Sequence, residues 1–170
     1  TIYFASTGLA GLPIYRAGNE EQRQRWVMPV AKGQKLACFG LTEAGAGSDA
    51  TAIATTATRR QGGYVLNGSK LFITNGNEAE LIVTLATVDK SVRHKGMTAF
   101  VVEKGSPGFS VGKLEHKLGI RASSTAELLF QDCFVPEPNR LGEEGEGFRI
   151  AIESVDSSRI SVAAQAVGIA

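Results

Sequence analysis

The sequence has few of the residues that build metal sites, disulfide frameworks and membrane spans. Its 170 residues include two cysteines and two histidines, and none of these form a cluster at metal-ligand spacing, so metal chemistry is not expected. Cys38 and Cys133 are far apart and both lie in apolar, strand-like contexts, which predicts two reduced, buried thiols rather than a disulfide. No apolar run is long enough to span a bilayer, and the first residues lack a signal-peptide pattern.

An excess of one charge is also missing. There are 18 Lys and Arg against 17 Asp and Glu, for a net charge of +1, and no basic block occurs. Nucleic acid and anionic membranes are therefore not expected partners. The hydrophobic content of 43% and charged content of 21% are those of an ordinary globular protein with room for one or two modest domains.

Three segments differ in their hydrophobic pattern. Residues 1–34 read as helix and loop, residues 35–141 as short strands separated by turns, and residues 142–170 as an acidic glycine loop entering a helix. Both ends are apolar and lack caps, so we expect them to be cut edges of a larger protein. The fold class expected is α+β, with a central antiparallel β-barrel or sandwich flanked by helical segments of truncated α domains.

The middle segment contains seven candidate strands. Asn67-Gly68 lies between two apolar stretches, which predicts a tight hairpin turn at that dipeptide. The candidate strands are 36–41, 52–59, 63–74, 80–88, 97–103, 109–115 and 126–135.

Glycine is concentrated where the first of these strands ends. The stretch Gly40–Asp49 holds three glycines, and the N–H groups of such a turn can converge on an anion. No Gly-Lys-Ser/Thr follows, so it is not a Walker A loop, and it lacks the third glycine and the helix of a Rossmann fingerprint. Spacing alone leaves two interpretations open, a phosphate cradle and a surface turn.

The order of motifs along the whole chain resembles the acyl-CoA dehydrogenase family, and within it the short-chain, butyryl-type members. The similarity extends over essentially all 170 residues. The matching motifs are Phe39-Gly40-Leu41-Thr42-Glu43 with Ala46-Gly47-Ser48-Asp49, Leu66-Asn67-Gly68-Ser69-Lys70 with Phe72-Ile73-Thr74-Asn75-Gly76, Lys117-Leu118-Gly119-Ile120-Arg121 followed by Phe130-Gln131-Asp132 and Val135-Pro136, and Leu141-Gly142 with Gly145-Glu146-Gly147-Phe148, Arg159 and Ala163-Ala164-Gln165-Ala166.

The resemblance implies a division of the chain and a chemistry. Residues 1–34 would end an N-terminal helical domain, 35–141 would form the flavin-binding middle β domain, and 142–170 would begin the C-terminal helical domain. The family removes hydrogens from Cα and Cβ of an acyl-CoA thioester, with FAD as cofactor and an electron-transferring flavoprotein as acceptor. The resemblance also implies a homo-oligomer, a tetramer in the family, located in the cytoplasm of a bacterium or the mitochondrial matrix of a eukaryote and not secreted.

Family-like cofactor contacts fall on the two glycine-associated motifs. Thr42 would bond the flavin ring edge and Thr74 its N5 or O4, because a hydroxyl can donate or accept. Phe72, where many members have tryptophan, would lie against the ring. The alternatives are ordinary strand threonines and a core phenylalanine. The full set implied is Phe39, Gly40, Leu41, Thr42, Gly47, Ser48, Phe72, Ile73 and Thr74.

The resemblance implies three substrate contacts, Ser48, Asp156 and Arg159. The alternative interpretation of Asp156 and Arg159 is a surface ion pair at i,i+3 on one helix. Glu43 and Asp49 are expected only to shape the glycine turn.

The catalytic base is the part of the family pattern that these residues lack. In most members the glutamate lies far downstream, which places it after Ala170, and in some branches it precedes the arginine, where this chain has Ser158. Glu153 is about a turn and a half earlier and would face elsewhere. We therefore expect no catalytic residue within 1–170, a base downstream of Ala170, no turnover by this chain alone and poor flavin retention. Alternative functions are a non-catalytic flavin- or CoA-binding or interaction module of the same fold, and an acyl-CoA oxidase.

Overall fold

Helices from both ends of the chain pack on one face of a β-sheet in the computed structural model, which describes residues 1–170. Helix α1 has wide i→i+5 turns over Phe4–Gly11 and α-helical turns over Leu12–Ala17. Helix α2 comprises Glu20–Gln22, Arg23–Val27 and Met28–Ala31, and helix α3 is Gly147–Ile169. None of the helices is both long enough and apolar enough to cross a membrane.

A capping box fixes the start of α2 and ties it to the sheet. The Asn19 side chain accepts a hydrogen bond from the Gln22 N–H at 2.9 Å, and the Gln22 side chain accepts one from the Asn19 N–H at 2.8 Å. The Gln22 amide also donates to the carbonyl oxygens of Pro138 and Arg140 at 2.7 and 2.8 Å. One glutamine therefore both caps the helix and anchors it to the last strand of the sheet.

Eight strands form one mixed sheet, in the order β6-β7-β3-β2-β4-β5-β8 with β1 paired to β4. β1 and β2 each pair β4 in parallel, and the remaining five pairs are antiparallel, so the sheet is mainly antiparallel, as expected, with parallel pairing only at β4. The strands are β1 Ala37–Gly40, β2 Thr56–Arg60, β3 Gly63–Thr74, β4 Leu81–Thr87, β5 Met97–Glu103, β6 Phe109–Leu114, β7 Thr125–Pro136 and β8 Arg140–Leu141.

The sheet curls so that its two halves pack face to face. Tyr64 on β3 and Phe100 on β5 are not on neighbouring strands, yet their rings meet edge-on with centroids 4.9 Å apart. The expectation of an α+β, sandwich-like fold is confirmed. The barrel alternative is not, because the sheet does not close on itself. Both thiols are free and buried inside, as expected.

Two hydrophobic cores result, one on each face of β4. Val83 belongs to the core under the helices, with Ile14 and Trp26, whereas Ile82 belongs to the core between the sheet halves, with Phe100. Because successive strand residues point to opposite faces, burial of both faces explains the unbroken apolar run of this strand.

The hairpin predicted at Asn67-Gly68 is wrong. The chain reverses instead at Gly62, which has a φ of 78°, and β3 runs straight through Gly68. The Asn67 side chain accepts a hydrogen bond from the Asp132 N–H at 2.8 Å and donates to its carboxylate at 3.0 Å. These cross-strand bonds hold a bulge between β3 and β7 at the position where the dipeptide suggested a turn.

Candidate functional site

The ends of β1 and β3 meet at a cavity of about 180 Å³ that α1 and α3 cover. Six of the nine cofactor positions expected from the sequence line it, three from each strand end. Ala5, Leu9 and Val155 contribute from the helices, and no motif in the sequence pointed to them as site residues. The complete lining is Ala5, Leu9, Phe39, Leu41, Thr42, Phe72, Ile73, Thr74 and Val155.

A bulge in β3 is what turns Phe72 toward the cavity. The pairing of β3 with β7 shifts between Lys70 and Ile73, and Phe72 has a φ of 60°, which is unusual outside glycine. Simple alternation after buried Lys70 would bury residue 72, but the bulge buries Ile73 and leaves Phe72 62% exposed. The core-phenylalanine interpretation is therefore wrong, and the cavity gains an open aromatic face.

Two threonine hydroxyls in the cavity wall have no partner in the protein. Thr42 and Thr74 are both partly exposed, and neither side chain makes a hydrogen bond with another group of the chain. The interpretation of Thr74 as a strand threonine whose hydroxyl bonds to the neighbouring strand is therefore wrong. The two hydroxyls are free to donate or accept toward a molecule in the cavity.

The glycine turn is a tight reversal with open N–H groups. Glu43 and Ala46 exchange backbone hydrogen bonds of 3.0 and 3.1 Å. Gly47 and Ser48 are exposed, lie outside the cavity, and their N–H groups donate to no other group of the chain. The Asp49 carboxylate accepts from the Thr51 hydroxyl and N–H at 2.6 and 3.0 Å, and these bonds lower its pKa. Asp49 thus shapes the turn, as expected.

A buried ion pair lies directly behind the cavity wall. The Lys70 ammonium donates to the Glu43 carboxylate at 2.6 Å, with side-chain exposures of 0% and 7%. Burial lowers the pKa of Lys70 to about 8, opposed by the charge of Glu43. Burial alone would raise the pKa of Glu43, but the Lys70 ammonium and hydrogen bonds from Thr55 and Ala54 hold it below its usual value.

Lys70 is a site feature that sequence reasoning missed. The inward alternation of Tyr64 and Leu66 along β3 continues to position 70, which is a signal that could have placed this lysine inside. Gly40, one of the expected cofactor residues, does not line the cavity. A Cβ at Gly40 would lie 3.3 Å from Cγ of Lys70 and 3.2 Å from the Thr84 hydroxyl. Glycine there leaves space for the lysine stem.

The helical wall leads from the cavity to a larger groove of about 490 Å³. Arg159 lines this groove, and Leu9 and Val155 line both spaces. Asp156 is exposed and lines neither, and it forms no ion pair with Arg159, so the surface-pair interpretation does not hold. The apolar lining of the groove ends at a guanidinium that has no carboxylate partner.

No carboxylate lines either space. Ser158 is buried, and its hydroxyl donates to the carbonyl oxygens of Ser154 and Val155 at 2.5 and 3.0 Å. Glu153 pairs with Arg149 at 3.0 Å and lies outside the cavity and the groove. Proton abstraction from a bound molecule therefore has no candidate base among the lining residues.

The last residue, Ala170, marks the position after which the base is expected. It is exposed, its N–H donates to the Ala166 carbonyl oxygen at 3.0 Å to complete the final turn of α3, and it lines neither the cavity nor the groove. Ala170 itself therefore takes no part in the site. A base downstream of Ala170 stays a prediction, since the structure describes residues 1–170.

Comparison with known proteins defines the class. Residues 38–133 match the model for the acyl-CoA dehydrogenase middle domain. A relative from Clostridium acetobutylicum, a short-chain specific acyl-CoA dehydrogenase, is 51% identical over 169 residues, covering 99% of this chain and 45% of the relative. The chain belongs to the acyl-CoA dehydrogenase family.

Solved structures show the same likeness in three dimensions. Butyryl-CoA dehydrogenase from Megasphaera elsdenii superposes with a TM-score of 0.96 at 50% identity, covering 98% of this chain and 44% of that one. A structure described as the electron-transferring flavoprotein of Acidaminococcus fermentans, in a study of flavin-based electron bifurcation, contains a chain with a TM-score of 0.96 at 54% identity, with the same shares covered. The chain spans a little under half the length of these relatives.

Proposed function

We propose that these residues form the flavin side of a short-chain, FAD-dependent acyl-CoA dehydrogenase. The observation that carries the proposal is the pair of unpartnered hydroxyls, Thr42 and Thr74, in one cavity beside the exposed ring of Phe72. A flat heteroaromatic ring with a polar edge needs an aromatic or apolar face and a few donors and acceptors at its rim. The cavity supplies both, and the relatives of matching fold support the assignment.

Each residue contributes a definite interaction. Thr42 and Thr74 bond the polar edge of the ring, and a donor held beside the site of reduction stabilises the charge that develops there. Phe72 covers a ring face. The free N–H groups of Gly47 and Ser48 suit the phosphates. When bound, FAD supplies the acceptor for the hydride that leaves Cβ of the substrate.

The substrate side is built mainly by the helices. An acyl-CoA carries phosphates and a thioester carbonyl, and the Arg159 guanidinium is a planar set of donors for such oxygens. Asp156 and Ser48 complete the proposed CoA contacts. The apolar groove beside Arg159 excludes water from the acyl part. We place the base that removes the α-proton downstream of Ala170, since no lining residue can serve.

The proposal extends to the organisation of the whole protein. We assign residues 1–34 to the end of an N-terminal helical domain, 35–141 to the flavin-binding β domain and 142–170 to the start of a C-terminal helical domain. Electron-transferring flavoprotein as acceptor and a homotetramer are proposed with it, the former supported by the matching flavoprotein structure. The proposed location is the bacterial cytoplasm or the mitochondrial matrix, with no secretion.

Flavin bleaching tests this function. The full-length protein that contains these residues is purified, scanned for flavin absorbance, and mixed with butyryl-CoA without oxygen. We expect a yellow protein whose flavin band is bleached by butyryl-CoA and recovers with electron-transferring flavoprotein. A colourless protein that binds no FAD contradicts the proposal and indicates a non-catalytic module. Rapid recovery in air without the flavoprotein indicates an oxidase instead.

A separate experiment tests whether the catalytic base lies outside residues 1–170. The 170-residue chain loaded with FAD receives the same butyryl-CoA, and we expect no bleaching. Bleaching at the rate of the full-length protein would show that a base lies within these residues.

A further inference from the structure

We propose that Lys70 and Glu43 are positioning residues, which fix how Thr42 and Thr74 stand relative to each other and so align the flavin ring. The inference rests on the proposed function. It concerns a buried ion pair to which the resemblance assigns no cofactor or substrate contact, and neither of its two residues lines the cavity.

The end of β1 is attached to β3 by three hydrogen bonds around Thr42. The Leu71 N–H donates to the Thr42 carbonyl oxygen at 2.8 Å. The Lys70 ammonium donates to the Leu41 carbonyl oxygen at 3.3 Å and to the Glu43 carboxylate at 2.6 Å. Residues on both sides of Thr42 are thus held by one lysine, while the Thr42 hydroxyl remains free.

Glu43 extends the same attachment to the chain beyond the glycine turn. Its carboxylate accepts hydrogen bonds from the N–H groups of Ala54 and Thr55 at 2.5 and 3.1 Å. The turn is therefore closed at its base by the carboxylate, and the carboxylate is fixed by Lys70. The position of the glycine turn depends on this ion pair.

Thr74 stands on the same strand as Lys70, four residues further on. The bulge between Lys70 and Ile73 sets the direction of the strand end that carries Phe72 and Thr74. Lys70 is the last buried residue before the bulge and the one that reaches across to β1. It therefore links the segment carrying Thr42 to the segment carrying Thr74.

We do not expect the stability of the fold to require a charged pair here. Replacing a buried ion pair by uncharged groups of similar volume is often neutral, whereas removing one partner leaves an uncompensated charge and destabilises strongly. A double substitution of both partners therefore separates positioning from stability. It keeps the volume while removing the charge-assisted bonds to the β1 end.

The experiment compares FAD binding by the full-length protein, its Lys70→Met/Glu43→Gln variant and a Leu66→Ala control. Leu66 is on the same strand, fully buried and outside the cavity, so its truncation destabilises the fold without touching the site. FAD affinity is measured by titration of the apoprotein, and the visible absorption band and fluorescence of bound FAD are recorded.

We expect the double variant to unfold at a denaturant concentration near that of the wild type, yet to bind FAD about tenfold more weakly. Its absorption band should shift toward that of free FAD, because the ring is less well fixed. Leu66→Ala should lose stability and keep the wild-type band. Wild-type affinity and spectrum in the double variant would overturn the inference.

A second variant covers the case in which the double variant does not fold. Glu43→Asp keeps the charge but withdraws the carboxylate by one methylene, so it cannot reach both Lys70 and Thr55 as Glu43 does. We expect weaker FAD binding and a shifted band, and an unchanged band would overturn the inference. If the wild type itself binds no FAD, the proposed function fails rather than this inference.

Discussion

The two unpartnered hydroxyls allow a substitution whose effect on the empty protein is close to zero. Thr42→Val and Thr74→Val replace a hydroxyl by a methyl of similar size at positions that make no side-chain hydrogen bond in the protein. We therefore expect the free energy of unfolding without FAD to change by less than about 0.5 kcal/mol. If the substitutions change the free energy of unfolding by more than this when FAD is present, the additional change must come from the bound FAD.

The effect on FAD binding follows from the worth of one hydrogen bond. A neutral hydrogen bond contributes about 0.5–1.5 kcal/mol net, which corresponds to about a 2- to 13-fold rise in Kd for each substitution. For the double variant Thr42→Val/Thr74→Val the sum corresponds to a rise of about 5- to 160-fold. The two sites face one cavity, so the measured double effect also reports their coupling.

The assay is titration of the apoprotein with FAD, followed by flavin fluorescence or absorbance. Thr58→Val is the matched control, because Thr58 is exposed on β2, its hydroxyl is also unbonded, and it lies away from the cavity. Its Kd should equal that of the wild type. A double variant with the Kd of the wild type would refute the assignment of these hydroxyls to the flavin.

The other predictions concern the fold and its response to pH. Burial lowers the pKa of Lys70 from 10.5 to about 8. Between these two pH values the unfolded chain binds more protons than the folded protein, so the free energy of unfolding should rise with pH. This group contributes at most about 3 kcal/mol to the rise. Lys70→Met/Glu43→Gln should lose that part of the rise in urea unfolding curves, and parallel pH profiles would contradict it. Gly68→Ala should destabilise the protein by about 1–3 kcal/mol, because φ is 149° there and a Cβ would lie 2.5 Å from Oγ1 of Thr55; an unchanged midpoint would contradict this close approach of Gly68 to Thr55. Phe100→Ala should cost about 3–5 kcal/mol in the same assay, since its fully buried ring packs between the sheet halves, and a loss under about 1 kcal/mol would be inconsistent with that packing.

The sequence predicts the elements of this fold better than the way they connect. Each of the seven candidate strands overlaps a strand of the structure, because alternation and turn residues mark such segments locally. The two-residue strand β8 and the parallel pairing of β1 with β4 were beyond reach, since both depend on contacts between distant segments. Asn67-Gly68 has the composition of a turn, but pairing with β7 keeps it extended.

In the candidate site, too, the sequence predicts local motifs better than the contacts between distant segments. The motifs around Thr42 and Thr74 are visible in the sequence, and the structure brings them to one cavity. The exposure of Phe72 was not predictable, because it depends on a bulge with a positive φ at that residue. Lys70 was missed because a lysine is rarely fully buried, and the partner that makes this possible, Glu43, is 27 residues away.

A crystal structure of the full-length protein with bound FAD shows whether the cavity between the ends of β1 and β3 holds the flavin. We expect the flavin ring in this cavity, with its polar edge within hydrogen-bonding distance of the Thr42 and Thr74 hydroxyls and a face against Phe72. A flavin bound elsewhere, or a ring whose edge meets neither hydroxyl, would contradict it.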